Sequence, residues 1–451
     1  MEDTIAAIST ALGVGAISII RVSGKDSIPI VNKIFKGKDL TQVSSHTIHY
    51  GHIIDNEEIV DEVLVSVMRA PKTFTVEDVV EVNCHGGIAT TQKVLELLLT
   101  HGCRQADAGE FTKRAFLNGR IDLTQAEGIM DLIEAKTESS RALAMSQVDG
   151  KVSNLIKNLR QEILEVLANI EVNIDYPEYE DIEEFTNDQL FPMIGHVKQS
   201  ILKILSESEN GKLIRDGIQT SIIGKPNVGK SSLLNALLNE SKAIVTDIEG
   251  TTRDIVEGTI RLDGILLHMI DTAGIRKTDD LVESIGVEKS RQLMNESDLV
   301  LFVLNNNEPM NEEEKTILKE LESKNHIVVV NKIDLESHLD PKDLEGHIVV
   351  PMSALEQKGI EELKEQMKKI FSLEKIETKD MTYLTSARSI ALLRQALQSL
   401  EDLEQGLKAG YPMDILEIDL KKIWNDLGQI IGETYEEELI DQLFSQFCLG
   451  K

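Results

Sequence analysis

Several short segments of this chain carry residue types and spacings suited to one chemistry, the binding of a nucleoside triphosphate. Gly224–Ser232 reads GKPNVGKSS, the G-x-x-x-x-G-K-S/T pattern of a phosphate loop. Gly224 and Gly229 let the backbone turn so that successive N–H groups point at phosphate oxygens. Lys230 reaches the β/γ oxygens, and the Ser231 hydroxyl suits Mg²⁺. Asn227, Val228, Gly229, Lys230, Ser231 and Ser232 are therefore assigned to the nucleotide. DTAG (Asp271, Thr272, Ala273, Gly274) follows the apolar run ILLHMI. An Asp at that place holds Mg²⁺ through water, and the Gly274 amide can sense a γ-phosphate. NKID puts Asn331, Lys332 and Asp334 after IVVV. The Asp334 carboxylate can accept from guanine N1–H and N2–H₂, donors that adenine lacks. Ser353 and Ala354 follow VVPM, where loop backbone would meet guanine O6.

Gly250, Thr251 and Thr252, within DIEGTTRD, lie between the phosphate loop and DTAG, where a switch loop belongs. Thr252 is the position expected to close on Mg²⁺ and the γ-phosphate. Hydrolysis needs an oriented water and neutralisation of the charge that develops on the phosphoryl group. Many Ras-like GTPases carry Gln directly after DTAG; here the residue is Ile275, which cannot orient water. The following switch offers Asp279, Asp280, Glu283 and Glu288 instead. Arg253, Arg276 and Arg291 suit a charge-neutralising finger and a surface ion pair equally well. The Asn227 amide oxygen could help hold a monovalent cation in the finger's place.

Such segments act only if strands and helices present them together. The apolar run ending at Ile223 reads as a strand and SSLLNALLN as an amphipathic helix, whose N-terminus adds its dipole to the anion site. IVVVNKID and DLVLFVLN are as apolar as buried parallel strands, and strands alternate with helices from 217 to 373. Residues 1–118 mix the β-like runs AISIIRVSG, EVLVSVMRA and DVVEVNCHGG with a helix at TTQKVLELLLTHG. Helical character begins near Ile121, where Thr124 and Glu127 have capping-box spacing. Leu155, Leu159, Ile163, Leu167, Ile170 and Ile174 mark a long helix that stops at Pro177, and YPEYEDIEEF reads as a solvated acidic loop. Helical pattern resumes after 378. The expected fold class is multidomain α/β and α. It comprises an N-terminal α+β domain at 1–118, a discontinuous helical domain at 119–216 and 374–451, and an inserted Ras-like P-loop G domain at 217–373.

A length of 451 residues leaves room for roughly three domains. Asp and Glu number 77 against 47 Lys and Arg, a net charge of −30. Nucleic-acid affinity comes largely from Lys and Arg, so the whole chain makes a poor generic binder and suits a basic partner better. The N-terminal 118 residues are more balanced, with 11 Lys/Arg against 15 Asp/Glu, or 11 − 15 = −4. Cys84, Cys103 and Cys448 are too scattered for a disulfide framework, which points to a reducing compartment. No apolar run approaches the ~20 residues that span a bilayer, and the start lacks a signal-peptide pattern. A soluble cytoplasmic protein with no membrane contact is expected.

The motifs, their order and their flanks resemble the MnmE/TrmE family of tRNA-modification GTPases over essentially the whole chain. The specific marks are DTIAAIST and IIRVSG, EDVVEVNCHGG, GEFTKRAFLNGRIDLTQAEG, DIEGTTRD, DTAGIR and the terminal FCLGK. The resemblance implies an N-terminal domain that binds tetrahydrofolate and dimerises, a helical body and an inserted G domain. It implies a homodimer that forms a heterotetramer or larger complex with an MnmG/GidA-type flavoprotein carrying FAD and using NADH. Together they would install a (carboxymethyl)aminomethyl group at C5 of the wobble uridine of tRNA. The one-carbon unit would come from 5-formyl- or 5,10-methylene-tetrahydrofolate. GTP hydrolysis would follow potassium-dependent pairing of G domains, without an arginine finger.

Carried onto this chain, Asn227, Thr246, Ile248 and Thr251 would surround K⁺, and Ser231 and Thr252 would hold Mg²⁺. The switch stretch of Thr246, Asp247, Ile248, Glu249, Gly250, Thr251 and Thr252 joins the GTP-binding set. Glu283, in the context LVESIG, becomes the residue that orients water. The implied folate positions are Arg21, Glu81, Arg120 and Lys451. Position 120 is often Lys in the family; Arg keeps the charge and changes the geometry. STALGVGAI departs from the family's usual Pro and Gly-Gly pair. Cys448, with no nearby His, stays unassigned.

The alternative is a ribosome-assembly or translation GTPase of the Era or Der type, an RNA-binding switch. That reading calls for a basic KH-like domain or a second G domain, and the sequence shows neither pattern. A scaffold that binds folate and a partner, with hydrolysis only setting shape, also fits, since no residue is identifiable as the group that transfers carbon.

Overall fold

A computed structural model describes residues 3–175, 187–240, 258–271, 292–371, 383–435 and 437–450. Contacts divide the chain into two units. One comprises Met1–Ile133, Gln147–Leu202 and Ser386–Lys451, the other Glu134–Ser146 and Lys203–Thr385.

In the first unit, strands β1 (Ile5–Ile8), β2 (Ile17–Ser23), β3 (Phe35–Lys36), β4 (Thr47–Asp55), β5 (Glu58–Met68), β6 (Val79–His85) and β7 (Arg104–Gln105) form a sheet. Their order is β3-β4-β5-β6-β2-β1-β7, antiparallel throughout except between β1 and β7. Period-two alternation sets the two faces. Val80, Val82 and Cys84 of β6 join Ile20 and Val22 of β2 in a core covered by helices α1 (Ser27–Ile34) and α2 (Ile88–Thr100). Arg21 and Glu81 fall on the opposite face. There Ile5, Ala7, Ala106 and Phe111, with Phe74 packed against them, form a separate small apolar cluster. The same sheet leaves Ile17, Ile48, Tyr50 and Leu64 exposed.

Helices α3 (Glu110–Leu117) and α4 (Leu123–Glu134) follow, then α5 (Glu138–Val148), α6 (Lys151–Asp175) and α7 (Asn187–Asp216). The cap of α4 differs from the sequence reading. Asp122 and Gln125 form the reciprocal box, with Gln125 N–H donating to Asp122 Oδ1 and Asp122 N–H to Gln125 Oε1, both 3.1 Å. Thr124 and Glu127 share that spacing two residues later but have tertiary partners. The Thr124 hydroxyl bonds Ser153 at 2.6 Å, and Glu127 is buried against Arg388. The acidic stretch after α6 lies outside the described residues.

The second unit holds β8 (Ile218–Ile223), α8 (Lys230–Glu240), β9 (Gly258–Leu262), β10 (Ile265–Asp271), β11 (Leu299–Asn305), α9 (Glu312–Leu321), β12 (His326–Asn331), β13 (Val349–Pro351) and α10 (Ile360–Ile370). The sheet order is β13-β12-β11-β8-β10-β9, parallel except for the antiparallel edge strand β9. β11 is buried along its whole length, as expected of a strand covered on both faces. Back in the first unit, α11 (Ala387–Ala409), α12 (Met413–Ile431) and α13 (Glu437–Phe444) complete the chain. Arg160 of α6 is sunk against α12: its guanidinium lies 4.1 Å from the Trp424 ring and donates to the Trp424 carbonyl at 3.1 Å. No helix among the described residues is long and apolar enough to cross a membrane.

Candidate functional site

The phosphate loop leaves β8 at Ile223 and enters α8 at Lys230. At Gly224 φ is 146°, and a Cβ would stand 2.3 Å from the Val303 carbonyl oxygen; at Gly229 φ is 104°, and a Cβ would stand 2.1 Å from Asn331 Nδ2. Any side chain at either position would push the loop off the sheet. Lys230 Nζ donates to the carbonyls of Gly224 and Lys225, 2.7 Å each, so its ammonium group spans the loop. Lys225 pairs with Glu314 at 2.8 Å, and Glu314 in turn caps α9 with Asn311. Val228 contributes a core side chain and a backbone carbonyl, whereas Asn227, Ser231 and Ser232 are exposed. Asn227 has φ 64° and, among the described residues, no hydrogen-bond partner. Asp271 ends β10 in register with Ile222, which places it beside the strand that feeds the loop.

The segments that the sequence reading assigns to the base meet at the ends of β12 and β13. Asn331 is 3% exposed. Its Nδ2 donates to the Val228 carbonyl at 2.8 Å and its Oδ1 accepts from Ala354 N–H at 3.1 Å. It thereby bolts the phosphate loop to the Ser353–Ala354 loop, a positioning task that the sequence motif did not announce. Ser353, fully buried, donates its hydroxyl to Asp334 Oδ1 at 2.6 Å. This bond holds the Asp334 carboxyl below its ordinary value, so it stays an ionised acceptor. Lys332, two residues before Asp334, has φ 65°. Thr246, Asp247, Ile248, Glu249, Gly250, Thr251, Thr252, Thr272, Ala273, Gly274, Glu283 and Lys451 lie outside the described residues, as does the side chain of Asp271.

A second constellation lies on the N-terminal sheet. Arg21 and Glu81 are register partners across β2 and β6, with Nε to Oε1 at 2.9 Å. The Arg21 guanidinium stands 5.7 Å from the Phe111 ring, and that of Arg120 stands 4.9 Å from the Phe74 ring. Because Phe74 and Phe111 belong to one apolar cluster, Arg21, Glu81 and Arg120 border a common floor. Arg120 also donates to the Phe74 carbonyl at 2.9 Å, and Asn118 to the Thr75 carbonyl at 2.6 Å. These bonds help hold Val76, a β-branched residue, at φ 66°, a backbone state that costs on the order of 1–3 kcal/mol. Arg114 anchors the same loop from beneath: its side chain is wholly buried and paired with Asp3, Glu77 and Glu110. Guanidinium groups around an aromatic floor, with a carboxylate acceptor alongside, suit a flat heterocycle bearing donors and an anionic tail.

Phe74, Phe111 and Arg114 were not singled out in the sequence; the run GEFTKRAFLNGR contains two of them, but only the fold shows which way they face. Burial raises the thiol pKa of Cys84 and pushes that of Cys103 up to about 12, which makes both inert, while Cys448 is exposed.

The family profile described as "GTP-binding protein TrmE N-terminus" matches residues 4–120, and that described as "MnmE helical domain" matches residues 123–448. The protein of Bacillus cytotoxicus called tRNA modification GTPase MnmE is 55% identical over 455 residues, covering 100% of this chain and 99% of its own. The protein of the same name from Streptococcus thermophilus is 54% identical over 450 residues, covering 100% of this chain and 98% of its own. Among solved structures, the G domain of the T. maritima FeoB iron transporter is 29% identical, covering 34% of this chain and 98% of its own, with TM-score 0.25. Era from Aquifex aeolicus is 29% identical over 40% of this chain and 66% of its own, with TM-score 0.26. With full-length identity above half, and matches to both characteristic domains, the chain belongs to the MnmE/TrmE family of tRNA-modification GTPases.

Proposed function

We propose that this chain is a potassium-dependent GTP hydrolase of the cytoplasm that works on tRNA with an MnmG/GidA-type flavoprotein. The pair installs a (carboxymethyl)aminomethyl group at C5 of the wobble uridine. The observation that carries the GTP reading is the Asp334 carboxylate, ionised and aimed by Ser353, on a loop bolted to the phosphate loop through Asn331. In this reading Ser231 and Thr252 hold Mg²⁺, and Glu283 orients the attacking water. Asn227 fits a monovalent cation: it presents a neutral amide oxygen at the exposed rim of the loop, with no partner among the described residues. Bound with Thr246, Ile248 and Thr251, K⁺ would supply the positive charge that an arginine finger supplies elsewhere. The floor of Phe74 and Phe111, with Arg21, Glu81, Arg120 and Lys451, is read as the site of 5-formyl- or 5,10-methylene-tetrahydrofolate, which would supply the one-carbon unit; FAD and NADH belong to the partner.

Homodimerisation belongs to the same reading and is supported by the exposed apolar side chains Ile17, Ile48, Tyr50 and Leu64 on the N-terminal sheet. So does the division into a folate domain at 1–118, a helical domain at 119–216 with 374–451, and a G domain at 217–373. GTP turnover in potassium and in sodium buffers of equal ionic strength tests the cation assignment. The expected result is a rate at least about tenfold higher in potassium that climbs with protein concentration. Equal rates in both salts would remove K⁺ from the account.

A further inference from the structure

The last residues of the chain are held by the first strands. Arg21 Nη1 donates to the Gly450 carbonyl at 3.1 Å, and the Ser9 hydroxyl donates to the same oxygen at 3.0 Å. Two residues earlier, the Cys448 carbonyl accepts from Gly109 N–H at 3.3 Å. Gly450 sits at φ 84°, with the position of a Cβ only 2.4 Å from the Ile8 carbonyl oxygen, so the backbone of the tail lies directly on β1 and no side chain fits between them. Upstream, Phe444 and Phe447 are buried with Phe116 and Leu123. The Arg21 guanidinium therefore has two tasks, since its Nε is engaged by Glu81 while Nη1 holds the tail.

We propose that Ser9 and the Gly450 carbonyl form an anchor that fixes Cys448–Gly450 at the edge of the Arg21–Glu81 site, and that Ser9 is a positioning residue for the ligand bound there. This rests on the reading of that site as a tetrahydrofolate pocket. A carbonyl that accepts two hydrogen bonds, one from a cation, is held in a single register. Any ligand that draws on Arg21 then meets a tail already in place, and the cost of ordering it has been met during folding. Among the described residues the Ser9 hydroxyl bonds the tail alone, while its N–H stays with Ile19, so removing the hydroxyl loosens the anchor and leaves the Arg21–Glu81 pair intact.

The test uses the full-length protein with 5-formyltetrahydrofolate as the probe. Amide hydrogen exchange reports on residues 447–450, and equilibrium dialysis on ligand affinity. Ser9→Ala is expected to speed exchange of the tail and weaken ligand binding, each by roughly five- to tenfold, about what one lost hydrogen bond supplies. Ser9→Thr, which keeps the hydroxyl, is expected to restore both, and Gly450→Ala to exceed Ser9→Ala in both. Unchanged tail exchange in Ser9→Ala and Gly450→Ala overturns the anchor whatever the ligand does. Faster exchange with unaltered ligand affinity overturns the positioning role and leaves the pocket standing. A wild-type protein that binds no 5-formyltetrahydrofolate overturns the pocket reading and the positioning role with it, while the exchange data still decide the anchor.

Discussion

Ser353 bonds one oxygen of Asp334 and so fixes the plane in which the carboxylate can accept from a base. Two acceptor positions in a fixed plane match the adjacent N–H donors of guanine and leave adenine with none to offer. Replacing the carboxylate by an amide reverses part of the pattern. Asp334→Asn is expected to weaken GTP binding by at least about 100-fold and to admit xanthosine triphosphate, whose 2-oxo group accepts where guanine donates. Competition binding with the two nucleotides measures both effects, and retained GTP preference in the variant would contradict the assignment. Because Ser353 holds the Asp334 pKa below its ordinary value, the carboxylate stays ionised at neutral pH and its protonation should not limit GTP binding there. Asp334 was legible in the sequence because NKID carries a chemistry of its own. The contribution of Ser353 was not, since its partner lies across the register of two parallel strands.

At the scale of elements, period and apolarity located the strands that bear the motifs, whereas helix starts and side-chain pairings depended on tertiary partners. The box at the start of α4 shows why. Asp122/Gln125 and Thr124/Glu127 have the same spacing, and the choice falls to the pair whose competitors are claimed by Ser153 and Arg388. A pairing equally hidden in sequence joins the start of β12 to the segment before β13. His326 Nε2 and His347 Nδ1 are 2.8 Å apart, a hydrogen bond that a single proton between the two nitrogens completes. Burial and the neighbouring His326 charge lower the His347 pKa, opposed by Glu322. The unfolded chain therefore binds this proton at higher pH than the folded one. The associated stability is complete above the ordinary histidine value of about 6.5 and is lost as pH falls through the window beneath it. The thermal midpoint of the full chain is expected to drop between about pH 7.5 and pH 5.5, and His347→Gln should make that drop shallower. Parallel slopes by calorimetry would show that the pair carries no such linkage.

For the whole molecule, the order of motifs along the chain was enough to anticipate an inserted nucleotide domain and its family. It was not enough to show that the C-terminal tail returns to β1, because no local pattern encodes a contact across 441 residues, such as that from Ser9 to Gly450. The contact units also cut the chain within α5 and α7, so helices that look continuous in sequence pass from one unit to the other. The net charge of −30 makes this chain by itself a poor generic binder of nucleic acid. The measurement that tests this account most directly is nucleoside mass spectrometry of tRNA from cells deprived of the chain and then supplied with wild type or Asp334→Asn. The account predicts that the aminomethyl-type wobble uridine disappears on deprivation, returns with the wild type and does not return with Asp334→Asn; an unchanged wobble uridine in the deprived cells would contradict it.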